Sequence, residues 1–262
     1  MDLGLSDKPV LVMASSAGLG KGIATEFARE GARVMLFSRD EDRLKQAQKD
    51  ISVATGIEPA YTVGDVAVRE DILTAGANTQ TRFGSIYALV NNTGGPPAGP
   101  FDDFEDSNWQ SAFELTLLSY IRCIREVLPM MRQAGTGRIL NLTSSSTRQA
   151  IDNLILSNTF RMGVVGLTKS LARELGPEGI LINVAGPGKI ETERIRQLDT
   201  RRAIDTGVSV EELRNAATSA IPLKRYGEPV ELARLVVFLC SEANTYITGQ
   251  TVLADGGLVQ AY

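Results

Sequence analysis

A segment near the N-terminus has the residue types that a phosphate-binding turn requires. An apolar run ends at Met13, residues 14–20 read Ala-Ser-Ser-Ala-Gly-Leu-Gly, and a helical pattern begins at once. Glycines let a backbone approach a pyrophosphate closely, and a helix N-terminus offers free N–H groups and a positive dipole end. The strict GxGxxG pattern fails because Ile23 stands where its last glycine belongs, so a turn that binds no ligand is the alternative. The residues predicted to contact a dinucleotide here are Ser15, Ser16, Gly18, Leu19 and Gly20.

The end of the second apolar run indicates which dinucleotide this would be. The run ends in Phe37, Ser38 and Arg39. A site for NAD(H) usually places Asp or Glu at this point, where the carboxylate accepts hydrogen bonds from the ribose hydroxyls. A carboxylate would repel a 2′-phosphate, whereas Ser38 can hydrogen-bond it and Arg39 can pair with it. The sequence therefore favours NADP(H) over NAD(H), and the alternative is that Arg39 is only a solvent-exposed charge.

The absence of one residue type excludes several classes of enzyme. The chain contains no histidine, which is the commonest general base and the commonest transition-metal ligand in proteins. A Ser–His–Asp hydrolase and a zinc enzyme with histidine ligands are therefore excluded. The two cysteines, Cys123 and Cys240, lie alone in apolar helical stretches without a CxxC spacing. We expect them to fill the core, and we expect no metal site.

The charged residues do not point to a nucleic acid. The chain has 27 Lys and Arg and 31 Asp and Glu, a formal net charge of −4, and its basic residues are spread rather than clustered. No apolar run approaches the roughly 18 residues of a membrane span. The opening MDLGLSDK lacks the basic-then-apolar order of a signal peptide. We therefore expect a cytoplasmic protein without nucleic-acid or membrane partners.

The elements that position these residues follow from the hydrophobic pattern. Short runs rich in Val, Ile and Leu alternate with longer amphipathic segments, and turn residues separate them. This alternation predicts βαβ units and an α/β fold whose parallel sheet of about seven strands has helices on both faces. Strands are predicted at 10–13, 33–37, 60–63, 87–90, 138–142, 181–184 and 251–253. Helices are predicted at about 19–30, 40–54, 69–82, 106–134, 156–175 and 228–240.

One irregular segment, residues 191–224, interrupts this order. It is rich in charge and carries two short helical patterns before Pro222. It follows the sixth predicted strand, at the carboxyl edge of the sheet where open α/β sheets bind ligands. A lid-like insert is therefore predicted at 191–224, and a solvated surface excursion is the alternative.

With these segments placed, the chain resembles the short-chain dehydrogenase/reductase family over nearly its whole length. The matching motifs occur in family order at 14–20, Asp65-Val66, Asn91-Asn92-Thr93-Gly94, Ser144, 183–192 (NVAGPGKIET) and 248–257. The resemblance implies one Rossmann-type, doubly wound domain over residues 1–262. It also implies that Asp65 contacts adenine, that Asn91 lies along the cofactor and that residues 187–192 hold the nicotinamide carboxamide. The cofactor-binding residues it implies beyond the glycine turn are Ser38, Arg39, Asp65, Val66, Asn91, Gly94, Arg161, Pro187, Gly188, Ile190 and Thr192.

The residues at the family's catalytic positions depart from its pattern. The family uses an Asn, a Ser that polarises the carbonyl, a Tyr that acts as general acid, and a Lys whose charge makes that Tyr more acidic. Thr116, Ser144, Ser157 and Arg161 stand at those positions here, so that only the serine is kept. Ser157 and Arg161 are four residues apart on one predicted helix and therefore share a face.

The chemistry of this set differs from that of a Tyr and Lys pair. Arg161 can hydrogen-bond the cofactor ribose and stabilise a developing alkoxide. An aliphatic hydroxyl such as Ser157 is a far weaker acid than a phenol, and arginine stays protonated, so we expect water to carry the proton. Tyr120, one turn after Thr116, is a candidate to replace the family's tyrosine as general acid. The alternative is a packed aromatic at a subunit contact.

Two hypotheses follow from different classes of function. The first is an NADP(H)-dependent oxidoreductase of the carbonyl reductase or alcohol dehydrogenase type, similar to 3-oxoacyl reductases. Its substrate would be a small carbonyl or alcohol, and its activity would be weak because Tyr and Lys are replaced. The alternative is a catalytically impaired NADP(H)-binding sensor or assembly protein. The resemblance further implies a homo-oligomer, a homotetramer or a dimer, formed through the predicted helices at 106–134 and 156–175 and the C-terminal segment.

Overall fold

The order of the strands creates the place where a ligand can bind. The computed structural model describes residues 1–261. Its strands are β1 Pro9–Val12, β2 Arg33–Ser38, β3 Ala60–Val63, β4 Ala88–Asn91, β5 Gly137–Leu142, β6 Ile180–Pro187 and β7 Thr251–Ala254. All neighbours pair in parallel, in the order β3-β2-β1-β4-β5-β6-β7. The winding reverses between β1 and β4, and the loops there separate to leave a crevice at the carboxyl ends of the strands.

Helices cover both faces of this sheet. They are α1 Gly18–Arg29, α2 Glu41–Thr55, α3 Arg69–Phe83, α4 Asp106–Phe113, α5 Ser119–Ala134, α6 Ile155–Leu175, α7 Glu193–Thr206, α8 Val210–Ala220 and α9 Pro229–Leu239. Successive β1 side chains point to opposite faces, so Val10 and Val12 pack in one apolar cluster with α1, α2 and α9. Leu11 packs in the other cluster with α3, α5 and α6. The predicted fold, a single doubly wound α/β domain with a seven-stranded parallel sheet, is confirmed.

The helix predicted over 106–134 is two helices joined by a wide turn. Residues Glu114–Leu118 form a turn of π-helix between α4 and α5, and Thr116 lies inside it. The hydroxyl of Ser119 donates to the carbonyl oxygen of Leu115 at 2.5 Å, which competes with the backbone ladder at this point. Turns of this kind are frequent at functional sites. The amphipathic pattern did not indicate it because one inserted residue leaves the apolar spacing nearly continuous.

The sixth strand is longer than the segment predicted at 181–184. It continues through Gly186 and Pro187, which pair with Leu253 and Ala254 of β7. Glycine and proline are typical of turns, so the sequence indicated an earlier end. The extension carries Pro187 to the carboxyl edge of the sheet, where the crevice lies.

Helices α7 and α8 occupy most of residues 191–224. The middle of α7 is held to the loop before α9, because the hydroxyl of Tyr226 donates to Asp199 Oδ2 at 3.1 Å. Lys189 Nζ lies 3.9 Å from the other oxygen of this buried carboxylate. The half of α7 that precedes Asp199 borders the crevice, and most of its side chains are exposed.

The cysteines, the apolar helices and the acidic side chains bear on other kinds of site. Cys123 and Cys240 are free thiols, each buried in one of the two apolar clusters. Within residues 1–261, no helix has the length and apolar character needed to cross a membrane. The same residues contain no group of three or more His, Cys, Asp or Glu side chains arranged to hold a metal ion.

Candidate active site

A cleft of about 720 Å³ opens at the carboxyl ends of the strands beside the switch point. It brings together residues that are far apart in sequence, from the glycine turn to the start of α7. The predicted site residues that line it are Ser16, Gly18, Leu19, Ser38, Arg39, Val66, Gly94, Ser144, Ser157, Arg161, Pro187, Gly188, Ile190 and Thr192. The predicted residues that do not line it are Ser15, Gly20, Asp65, Asn91 and Thr116.

The glycine turn leaves the space that a pyrophosphate would need. Gly18 has a φ of +55°, in the left-handed region where glycine is favoured. Ala14, at the position of the family's first glycine, has a φ of +47° and carries a methyl group in a conformation that costs about 1 kcal/mol. On the facing wall, a Cβ added to Gly94 would meet no heavy atom within 4 Å. These open walls beside the N-terminus of α1 fit a dinucleotide backbone.

Ser15 and Gly20 act behind the wall of the turn. The hydroxyl of Ser15 donates to the Val12 carbonyl at 2.8 Å and accepts from the Phe37 N–H at 3.0 Å, which ties the turn to β2. Gly20 lies so close to the turn that a Cβ would collide with the carbonyl oxygen of Ala14. Ser15 and Gly20 therefore hold the turn in shape, and neither residue lines the cleft.

We expect Gly20→Ala to destabilise the protein by about 1–3 kcal/mol, because the added methyl group must displace backbone rather than a flexible side chain. The displaced turn should also bind NADP⁺ more weakly. The measurements are urea denaturation and titration with NADP⁺. Gly176→Ala is the matched control, since Gly176 has helical angles and a Cβ there would meet nothing within 4 Å. A Gly20→Ala variant as stable as the Gly176→Ala variant would contradict the close approach.

The end of β2 forms the side of the cleft predicted for the 2′-phosphate. Ser38 Oγ accepts a hydrogen bond from Ser16 Oγ at 2.9 Å, so the two walls meet there. The Arg39 side chain is 78% exposed and lies 3.6 Å from Asp65 Oδ2. Asp65 also accepts from the Ala67 N–H at 2.9 Å. Asp65 therefore forms an ion pair with Arg39 and a hydrogen bond within its own loop. The Arg39 side chain lines the cleft and is exposed enough to turn towards a phosphate.

The side chain of Asn91 points away from the cleft. It is fully buried, and its Nδ2 donates to Asn141 Oδ1 at 2.8 Å. Asn91 is the last residue of β4, and it is Asn92 and Thr93, which follow the strand, that line the cleft. Asn91 therefore joins β4 to β5 beneath the site, and any contact with a cofactor along this segment comes from its neighbours.

Ser144, Ser157 and Arg161 meet at one end of the cleft. Ser144 Oγ accepts the N–H of Ser146 at 3.1 Å. Ser157 Oγ accepts Nε of Arg161 at 3.2 Å, and Arg161 Nη1 donates to the Leu142 carbonyl at 3.1 Å. Each serine thus accepts one hydrogen bond from the protein and keeps its own O–H free to donate into the cleft. The guanidinium is held on the protein by two hydrogen bonds and is almost fully buried.

Thr116 and Tyr120 lie behind this end of the cleft. Thr116 is fully buried, and its Oγ1 has no hydrogen-bond partner among residues 1–261. The Tyr120 hydroxyl donates to the Leu142 carbonyl at 2.7 Å, the same oxygen that Arg161 binds. Burial raises the pKa of Tyr120, although the Arg161 charge opposes this shift. A buried phenol whose O–H donates to a backbone carbonyl is badly placed to protonate a substrate. Tyr120 therefore packs in the core and helps to position the Leu142 carbonyl.

Several cleft residues were not predicted from the sequence. Arg43 lies in the first turn of α2, and Glu193 and Arg194 begin α7. Arg43 could have been found from its spacing, because it stands one helical turn after Arg39. No local signal marks Glu193 or Arg194, because only the tertiary fold brings α7 to the cleft.

Comparisons with known proteins agree with this geometry. The family model described as enoyl-(acyl carrier protein) reductase matches residues 13–259. The 3-oxoacyl-(acyl-carrier-protein) reductase FabG of Staphylococcus epidermidis is 31% identical over 96% of this chain and 99% of its own. The structure of L-sorbose reductase from Gluconobacter frateurii, complexed with NADPH and L-sorbose, covers 100% of both chains at 31% identity with a TM-score of 0.95.

A second solved structure gives the same result. Actinorhodin polyketide ketoreductase with NADPH matches 96% of this chain and 97% of its own, at 31% identity and a TM-score of 0.92. Both the sequence and the fold therefore match over almost the entire length. The chain belongs to the short-chain dehydrogenase/reductase family.

Proposed function

We propose that this protein is an NADP(H)-dependent oxidoreductase that interconverts a small carbonyl compound and its alcohol, as 3-oxoacyl reductases do. The observation that carries the proposal is a single cleft that runs from Arg39 and the glycine turn to Ser144, Ser157 and Arg161. Relatives named as reductases, and solved neighbours complexed with NADPH, support it. Ser38 and Arg39 would hold the 2′-phosphate, which distinguishes NADP(H) from NAD(H).

Two serine hydroxyls would bind the carbonyl oxygen of the substrate. Ser144 and Ser157 each have a lone pair engaged by an N–H of the protein, which leaves the O–H free to donate to an oxygen in the cleft. Two preoriented donors at one oxygen stabilise negative charge as it develops there. Bound NADPH would supply the hydride that reduces the carbonyl carbon.

Arg161 would provide the positive charge at the same place. Its Nε lies against Ser157, so the guanidinium is one hydrogen bond from the oxygen that becomes an alkoxide. The guanidinium also lines the cleft and can donate to the ribose of the nicotinamide nucleotide. In our proposal Ser157 and Arg161 replace the family's Tyr and Lys, and the alkoxide takes its proton from water. This arrangement predicts slow turnover, because water is a poor acid at neutral pH.

Oxidation of NADPH, followed with a panel of 3-oxoacyl thioesters, sugars and simple ketones, tests this function. Turnover that saturates with one of these classes would support the reductase. Binding of NADPH without turnover on any of them would favour the alternative, a catalytically impaired sensor or assembly protein. The replacement of the usual general acid by Ser157 is the observation that keeps this alternative in consideration.

Arg161→Ala should lower kcat at least tenfold with the best substrate of that panel, because it removes the charge that stabilises the alkoxide (roughly 1.4 kcal/mol or more). Arg161→Lys should retain more of the rate, since it keeps a cation. The dissociation constant for NADPH and the melting temperature are measured alongside. An unchanged kcat in a folded Arg161→Ala variant would remove Arg161 from the mechanism.

We also propose that the protein is a cytoplasmic homo-oligomer, a tetramer or a dimer. Aromatic side chains pack around α4 and the start of α6, with the Trp109 ring 6.1 Å from that of Phe101 and 5.9 Å from that of Phe160. Phe101 is 66% exposed and Met162 is 49% exposed. A second copy that covers this face would bury both. Light scattering of the purified protein measures the number of copies.

A further inference from the structure

The start of α7 places one arginine across the cleft. Residues 192–195 all line it, and the side chain of Arg194 reaches towards the loop after β4. A Cβ added to Gly95 in that loop would lie 3.4 Å from Nη2 of Arg194. The guanidinium therefore spans from the predicted lid to the opposite wall. We propose that Arg194 binds the pyrophosphate of the dinucleotide and so closes α7 over it, an inference that rests on the proposed function.

The charges around the cleft support an anion at this point. Arg39 faces Asp65 at 3.6 Å, and Arg43 faces Asp40 at 3.5 Å and Glu193 at 4.0 Å. Arg194 has no such carboxylate, and no hydrogen-bond partner, among residues 1–261. A guanidinium that borders a cleft without a counter-ion attracts phosphate and can bind it through two N–H groups.

The position of Arg194 selects the pyrophosphate among the charged parts of the ligand. A Cβ on Gly18 would lie 3.8 Å from Cγ2 of Thr192, so the start of α7 touches the glycine turn. Gly94 and Gly95 form the facing wall, and Arg194 bridges it two residues after Thr192. The 2′-phosphate side lies at Ser38 and Arg39, where Glu193 faces Arg43 instead. The guanidinium thus reaches Gly95 from a helix start that touches the glycine turn, where the N-terminus of α1 already favours a phosphate.

The contact would couple the insert to the cofactor. The middle of α7 is anchored by the hydrogen bond between Tyr226 and Asp199, whereas Arg194 in its first turn lines the cleft. A pyrophosphate bound by both Arg194 and the glycine turn would hold the two walls together. The insert would then be ordered by either dinucleotide, whether or not that dinucleotide carries a 2′-phosphate.

Binding measurements with ligand fragments test this role. We expect Arg194→Gln to weaken NADP⁺, NAD⁺ and ADP-ribose by about five- to tenfold, because all three carry the pyrophosphate. Adenosine 2′-monophosphate, which lacks it, should bind within twofold of the unaltered protein. Arg201→Gln, an exposed arginine of the same helix that lies outside the cleft, is the matched control and should change none of the four. Circular dichroism and the melting temperature verify that both variants fold.

Three results would overturn the inference. Unchanged binding of NADP⁺ and NAD⁺ to Arg194→Gln would do so and would leave the proposed function untouched. Weaker binding of adenosine 2′-monophosphate with unchanged NAD⁺ would assign Arg194 to the 2′-phosphate instead. A protein that binds neither dinucleotide would overturn the inference and the proposed function together. If dinucleotides bind through Arg194 but no carbonyl compound turns over, the inference stands while the proposed catalysis fails.

Discussion

Replacing Arg39 by Asp should reverse the preference between NADP(H) and NAD(H). The variant would lose the charge-assisted hydrogen bonds that we propose Arg39 makes to the 2′-phosphate, which contribute about 1.5–3 kcal/mol, and it adds a carboxylate that repels this group. The same carboxylate can accept from the ribose hydroxyls of NAD(H). The ratio of the two dissociation constants should therefore change by roughly 100-fold or more. Titration with NADP⁺ and with NAD⁺ measures it, and kcat/KM with each reduced cofactor gives an independent value.

Arg39→Gln separates loss of attraction from new repulsion. It should weaken NADP⁺ binding and leave NAD⁺ binding nearly unchanged. Both variants break the ion pair with Asp65, but the Arg39 side chain is 78% exposed and such pairs contribute at most about 1 kcal/mol. Stability should therefore change little in either variant, and slightly more in Arg39→Asp, whose carboxylate repels Asp65. A ratio that stays within threefold of its original value in Arg39→Asp would make Arg39 a surface charge without a role in binding.

The combined change Ser157→Tyr and Arg161→Lys should raise kcat by about 100-fold, because it restores a phenol beside an ammonium group. General acid catalysis contributes roughly 10²- to 10⁴-fold where the acid is well placed. Ser157 lines the cleft, so a ring at this position can extend into open space. Steady-state turnover of NADPH with the best carbonyl compound is the measurement.

The matched control keeps the ring and removes the acid. Ser157→Phe with Arg161→Lys fills the same space and should give no gain over the unaltered protein. An equal gain in this control would mean that packing, and not proton donation, limits the reaction. No gain in a folded Ser157→Tyr, Arg161→Lys variant that binds NADPH would show that the missing acid is not what limits turnover.

The fold was predictable because its signals are local and repeated. A short apolar run indicates each strand, and amphipathic spacing indicates each helix. Their alternation therefore predicts a parallel sheet without knowledge of any contact. The ends of elements were less predictable. β6 continues through Gly186 and Pro187 because β7 pairs with them, and that partner strand lies far along the sequence, after α9.

The candidate site was predictable where a motif fixes the residue and not where orientation decides. Ser144, Ser157 and Arg161 follow from the resemblance to the family, and the structure places all three on the wall of the cleft. Asn91 also belongs to a motif, yet its side chain is buried against Asn141, and Asn92, which follows the strand, lines the cleft instead. Arg194 has no motif, and only the path of the chain after β6 brings it across from Gly95.

The Leu142 carbonyl oxygen accepts hydrogen bonds from both Tyr120 and Arg161. Arg161 is held by the backbone of β5 and by Ser157 before any ligand arrives. In the proposed mechanism the cost of orienting this charge is therefore met once, when the chain folds, and does not recur with each substrate. A ligand therefore meets a positive charge whose position is already fixed. A substitution that removes one of these hydrogen bonds should leave the Arg161 charge in place but let the guanidinium move.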